Sequence, residues 1–248
     1  MGKLVEIWRY PIKSHGRESL ERVNIKAGKT LPGDRAFAVT HEQSSADGSS
    51  WVPCQNFNRG SKAPALMAIN AAWNQTENSM TLTHPDLPEI TINPDDTEDQ
   101  RRFINWEAAL IPENRSKSSQ LVRASEQGMT DTDYASITIG NMASHRAVAQ
   151  KMGRDLSHLR WRCNLWFDGL GPWEEFEWIG KNILIGDVNF EVTERVERCL
   201  ATTANPKTGH RDADTLGTLE TWGHRDFTVA AIAKTNGQLQ INDKVSLA

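Results

Sequence analysis

Residues 182–192 read NILIGDVNFEV, with Ile183 and Ile185 on one side of Gly186-Asp187 and Val188, Phe190 and Val192 on the other. Successive side chains of a strand point to opposite faces, so apolar residues at every second position mark a half-buried strand. Two such runs joined by a Gly-Asp turn predict a hairpin. Asn164 to Phe167, upstream, reads as another strand. Downstream, Asp212 to Trp222 reads as a short helix stopped by Gly223, and Asn236-Gly237 as a hairpin turn between the last strands. Leu121-Val122 and Ile137 to Ile139 add strands. Asn141 caps a helix carrying Met142, Val148, Ala149 and Met152 on one face, ended by Gly153.

The first hundred residues carry the same β signature. Leu4, Ile7 and Tyr10 run up to Pro11, and Val23 with Ile25, then Phe37 with Val39, alternate with polar neighbours. Pro32-Gly33 marks a turn, and 41–50, HEQSSADGSS, is a polar loop. Met67 to Trp73, Met80 to Thr83 and Glu89 to Ile92, the last two separated by HPDLP, predict a further meander. Thr97 to Leu110 has acidic residues in its first turn and Phe103, Trp106 and Leu110 at helical spacing, which predicts a helix bridging two subdomains, residues 1–96 and 97–248. Strands dominate and no regular βαβ alternation exists, so the predicted class is α+β, predominantly β and barrel-like, with a few short helices.

A formal charge of −4 and the absence of any long Lys/Arg run argue against nucleic acid or an anionic membrane as partner. The N-terminus MGKLVEIWRYP has no apolar core of a secretory signal, and no run of about 18 apolar residues occurs. Three widely spaced cysteines, Cys54, Cys163 and Cys199, fit a reducing compartment rather than a disulfide framework, so a cytoplasmic protein is expected.

Cationic neighbours lower a thiol's pKa and make it a nucleophile or a metal ligand. Cys199 follows Arg195 and Arg198, and Cys163 sits among Arg160 and Arg162, so charge alone does not choose between them. After Cys199, RCLATTANPKTGHRD offers a Thr pair and a tight turn at 205–209 whose backbone N–H groups suit an anion, although a plain structural turn explains it equally well. No C-x-x-C, GxGxxG, GxxxxGK[ST], GxSxG or HExxH occurs, so zinc-site, nucleotide and serine-hydrolase readings have no support. Glu174 and Glu175 are adjacent, which opposes paired acid–base work from a strand, and Trp173 and Trp178 read as core.

YPIKS at Tyr10 to Ser14, GDRAF at Gly33 to Phe37, RWRCNLWFDGL at Arg160 to Leu170, PWEEFEWIG at Pro172 to Gly180, ERCLATTANPKTG at Glu197 to Gly209 and G-x-L-x-I-x-D-x-V at Gly237 to Val245 come in one order across nearly the whole chain. Together they resemble the MOSC family, including its N-terminal β-barrel region, and are most similar to its amidoxime-reducing components and their bacterial relatives. The resemblance implies a molybdenum–pyranopterin cofactor with Cys199 as the metal ligand and catalytic thiolate. It implies further that Lys13, Ser14, Arg35, Arg162 and Asn164 grip the pterin and its phosphate, and that Arg198 sits beside the ligand. Ser144 or Asn141 would add a contact at the helix start, where the dipole is positive.

The activity so implied is a molybdenum-dependent oxidoreductase that reduces small N-hydroxylated compounds (hydroxylamines, amidoximes, N-oxides), with electrons from a separate ferredoxin- or cytochrome-type protein. The alternative is a carrier, with Cys199 holding persulfide or handing on the cofactor. Two positions depart from the family pattern: Cys163 stands where relatives often have Pro, and Asn205 where Asp is usual. Asp212 or a bound water is the candidate proton donor, and without the motif Lys13, Arg35 and Arg162 would read as a solvated strand end and surface ion-pair partners.

Overall fold

The 182–192 run does fold as a hairpin: Ile183, Ile185, Val188, Phe190 and Val192 are fully buried, and Ile185 pairs with Val188 across the Gly186 turn. The computed structural model describes residues 1–125 and 127–248. Its first part contains strands β1 (Gly2–Arg9), β2 (Glu18–Leu20), β3 (Arg22–Ile25), β4 (Phe37–His41), β5 (Asn70–Asn74), β6 (Ser79–His84) and β7 (Leu87–Ile92), then helix α1 (Thr97–Glu107) and β8 (Ser118–Arg123). The second contains β9 (Ile137–Asn141), helix α2 (Met142–Met152), β10 (Leu165–Asp168), β11 (Asn182–Ile185), β12 (Val188–Glu197), helix α3 (Thr215–Glu220), β13 (Asp226–Ala233), β14 (Gly237–Gln240) and β15 (Lys244–Leu247).

Strands β10-β9-β13-β12-β11-β15-β1 pair in that order, and β1 pairs back to β10, closing a seven-stranded barrel with β2 as an appendage on β1. A closed barrel has no free edge along which to aggregate. The β9–β10 pair is parallel, and α2 makes the crossover between them. Asn141 caps α2 by accepting from the Ala143 N–H, and Gly153 ends it in the left-handed conformation, φ 64°. Inside the barrel Leu4, Ile7, Ile139, Leu165, Phe167, Phe190 and Val229 form one apolar cluster.

A second cluster joins Phe37, Val39, Trp73, Leu82 and Leu121 to Phe103 and Leu110, supplied by α1 and the 3-10 turn after it. Asp96 caps α1 by accepting from Glu98 and Asp99 N–H groups. The two cores draw on both sides of residue 96: α1 and β8 pack with the first-half strands, while β1 is a barrel stave.

Three sequence expectations change. The predicted strand at Met67 to Trp73 begins only at Asn70. Pro64 starts a 3-10 turn, 64–68, that buries Leu66, Met67 and Ala68. Asn236-Gly237 makes no hairpin turn: Gly237 already opens β14, which leaves the barrel strand β13 and pairs with β3. The Asn236 side chain accepts from Ala27 N–H and ties that separate ribbon down. The predicted helix at Asp212 to Trp222 shrinks to α3, capped by Asp214, because Asp212 is drawn into ion pairs with Arg154 and Arg160.

Phe190→Ala should cost about 3–5 kcal/mol, the range for emptying a packed aromatic site. Glu191→Ala, which removes only the exposed pair with Lys234, should cost less than about 1 kcal/mol. Denaturant unfolding of the two variants measures the contrast.

Candidate functional site

The loop after β1, the turn at 33–36, the 54–61 segment, the short turn at 158–161 and the end of β12 converge on one cavity of about 280 Å³. Lys13, Ser14, Arg35, Arg160, Arg162 and Arg198 line it together with Cys199. Arg59 brings the cationic side chains to six, against the two acids Asp131 and Glu197. Ser14, Arg35 and Arg162 all hold positive φ, at 64°, 49° and 50°. Non-glycine residues adopt that region at a cost of about 1 kcal/mol or more, so three of them on one cavity wall mark a backbone shaped for a ligand.

The arginines are held by main-chain oxygens. Arg162 donates to the carbonyls of Gly16 and Ile12, each at 3.3 Å, and Arg35 donates to the carbonyl of Arg162 at 3.0 Å while pairing with Asp34. Both guanidinium groups lie over the Tyr10 ring, at 5.1 Å for Arg35 and 4.3 Å for Arg162. Arg198 donates to the carbonyls of Phe227 at 2.7 Å and Trp161 at 3.0 Å, and to the Thr228 hydroxyl. Burial, helped by the charge of Arg35, pushes Arg162 down to about 9, and burial pushes Arg198 down to about 10. Both therefore remain charged at neutral pH, and neither has a carboxylate partner among the described residues. An anion placed between them would relieve that stress. Lys13 is already engaged, donating to the carbonyls of Met129 and Thr130 and to Asp131 at 2.6 Å.

The three cysteines separate cleanly. Cys199 is exposed at the start of the 3-10 turn Leu200–Thr203, facing the cavity. Cys163 is fully buried, and that burial pushes its thiol up to about 12, so it stays a thiol and belongs to the core. Its neighbour Trp161 forms a cavity wall whose indole N–H donates to His145 Nδ1 at 3.1 Å. His145 Nε2 in turn donates to the Leu156 carbonyl, which fixes the neutral tautomer.

Three predicted contacts do not reach the cavity. Ser144 is fully buried and donates to both oxygens of Glu175, so a carboxyl of the chain itself occupies the start of α2. Asn141 donates to the same carboxylate. Asn164 spends its amide on Thr138 and the Trp8 carbonyl, fastening β9 to β1. Asp212, the candidate proton donor, lies behind the Cys199 loop, where Arg160 and Asn205 hold it. Cys54, Arg59, Asp131 and Glu197 line the cavity without having been singled out in the sequence. The 54–59 pair reaches it through a loop whose spacing carries no signal.

Among the described residues, no group of three or more His, Cys, Asp or Glu side chains could hold a metal ion alone. Metal at Cys199 would need further ligands from a bound group. The MOSC N-terminal beta barrel domain matches residues 1–137 and the MOSC domain matches residues 127–246. This chain belongs to the MOSC family. This MOSC protein is 26 % identical over 122 residues to mouse (Mus musculus) mitochondrial amidoxime-reducing component 1, a match covering 49 % of the chain and 35 % of the relative. The chain thus spans about a third of that curated relative. Two solved structures align with it. The YUAD protein of Bacillus subtilis does so at TM-score 0.45 and 11 % identity, over 99 % of this chain and 94 % of that one. YiiM from Geobacillus stearothermophilus does so at TM-score 0.37 and 14 % identity, over 45 % and 53 %. No helix of the described residues is long and apolar enough to cross a membrane.

Two measurements check the site chemistry. At pH 8 iodoacetamide should modify Cys199 and leave Cys163 unmodified in the folded protein, as read by peptide mass spectrometry. Burial pushes His145 down to about 4, below its unfolded value of about 6.5. The stability it contributes is therefore complete above pH 6.5 and is lost as pH falls toward 4. NMR titration of His145 and stability against pH should show that window.

Proposed function

We propose that the cavity binds a molybdenum–pyranopterin cofactor through Cys199 and that the protein is an oxidoreductase acting on N-hydroxylated compounds. The observation that carries this reading is an exposed thiol, Cys199, beside two half-buried arginines, Arg162 and Arg198, that have carbonyl partners but no carboxylate among the described residues. Soft thiolate suits molybdenum, and guanidinium forks suit a phosphate. Ser14, Arg35 and Arg162 would hold the phosphate and pterin, and Lys13 would join them by exchanging Asp131 for the phosphate. Arg198 would fix charge beside the ligand thiolate.

When bound, the cofactor supplies two-electron chemistry at an N–O bond. The chain's own residues do the rest: Cys199 anchors the group, the arginines orient it, and Trp161 and Ala201 wall the space beside the thiol. The name of the mouse relative, an amidoxime-reducing component, supports an N-hydroxylated substrate. Electrons would come from a separate ferredoxin- or cytochrome-type protein.

Protein from a cofactor-producing host should contain near-stoichiometric molybdenum and releasable pterin, and Cys199→Ser should lose at least about nine-tenths of the metal. The loaded protein should reduce benzamidoxime with a chemical electron donor. Metal content independent of Cys199 overturns the ligand assignment. A second reading, a persulfide carrier, is favoured by the exposure of Cys199. Persulfide trapped on Cys199 by alkylation in metal-free protein would select it.

A further inference from the structure

Arg59 differs from every other cation on the cavity wall. Lys13 pairs with Asp131, Arg35 with Asp34 and Arg160 with Asp212, while Arg162 and Arg198 spend their N–H groups on main-chain carbonyls. The Arg59 guanidinium instead donates to the Cys54 sulfur at 2.9 Å, and no oxygen acceptor holds it among the described residues. A guanidinium has five N–H donors in a planar fork, so most of this one is available to an incoming anion.

Its position separates it from the proposed phosphate grip. Gly60, its neighbour, packs tightly on Met67, where a Cβ would lie 2.6 Å from the sulfur, and stands beside the Cys199 loop, with the Ala201 methyl at ordinary contact distance, 3.5 Å, from that Cβ position. Arg211 clamps the two segments together, donating to the Ser61 carbonyl at 2.8 Å on one side and to the Leu200 carbonyl on the other at 2.5 Å. Arg59 is therefore carried on the lip that meets the turn after Cys199. Lys13, Arg35 and Arg162 form a separate cluster around Tyr10 and the loop after β1. Glu197, two residues before Cys199, lines the cavity with negative charge, and with Arg162 and Arg198 given to the cofactor Arg59 is the cation left for a second anion.

Resting on the reading above, we propose that Arg59 is a specificity residue that takes an anionic group, such as a carboxylate, on a small N-hydroxylated substrate whose N–OH end faces Cys199. Cys54 tethers the guanidinium in the cavity, so less side-chain freedom is lost when the anion binds.

The test uses the cofactor-loaded protein, wild type and Arg59→Gln, with 4-carboxybenzamidoxime and benzamidoxime. The wild type should favour the carboxylated compound, and Arg59→Gln should reduce the ratio of the two kcat/KM values by about tenfold, the scale of one charge-assisted hydrogen bond. Arg59→Glu should invert it. Binding of the unreactive analogues 4-carboxybenzamidine and benzamidine, followed by the fluorescence of Trp161 and its neighbours, should show the same tenfold change without turnover. An unchanged ratio in both measurements overturns the proposal. Loss of molybdenum from Arg59→Gln also overturns it, by placing Arg59 on the cofactor. If the wild type reduces neither compound yet the binding preference depends on Arg59, the anion site stands and the N-reductase reading fails.

Discussion

Positive charge taken out of water at the junction of the two cores is the constraint on which the site depends. A buried guanidinium without partners costs several kcal/mol, so each must find acceptors. Arg162 finds them in the carbonyls of the loop after β1, and Arg35 finds one in the carbonyl of Arg162 itself. Tyr10 lies beneath both, its hydroxyl donating to the Cys163 carbonyl at 3.1 Å and its N–H to Asp34 at 2.8 Å. The same contacts that satisfy the arginines therefore lock the Lys13–Ser14 loop to the 160–164 segment. Backbone carbonyls carry only partial charge, so the arginines stay cationic toward the cavity; carboxylates in their place would have cancelled the field that an anionic ligand needs.

Much of the fold was legible because burial imposes a period. β11, β12, α1 and α2 fall where apolar spacing and caps put them, since each has one face against a core and polar ends to satisfy. Asn236-Gly237 shows the limit of that reasoning. Turn chemistry is local and specifies a reversal, but which strand the returning chain meets is decided by the closed barrel, which has no edge to offer β14. Residues 67–69 mislead in the same way: buried Met67, Ala68 and Ile69 look apolar enough to start a strand, but the 3-10 turn opened by Pro64 runs to Ala68.

The site was legible where a motif fixes the backbone, and less so where a side chain must choose between partners. Lys13, Ser14, Arg35, Arg162, Arg198 and Cys199 meet at one cavity. Ser144 does not, because Glu175, 31 residues away, supplies its own carboxyl to the positive end of α2. Burial pushes the Glu175 carboxyl above its usual range, against the hydrogen bonds from Ser144 and Asn141. Arg59 and Cys54 were invisible for the opposite reason: nothing in their own segment announces them, and it is the Arg211 clamp between Ser61 and Leu200, with Gly60 set beside Ala201, that brings them to the thiol.

The ring of strands also sets an order of assembly. β1 is a stave whose ring partners are β10 and β15; β2 pairs locally with Ile7–Arg9, but Lys3 to Ile7 wait for residues 165–168 and Gly2 and Lys3 for residues 244–245. During synthesis the first strand to leave the ribosome is among the last to be locked, and pairings this distant in sequence fold slowly. The core around Phe37, Leu82 and Phe103 has no such wait, since all its contributors lie within residues 12–121. It gives the nascent chain a folded anchor close to the unpaired first strand, and the cavity, built from both halves, forms only when the ring shuts.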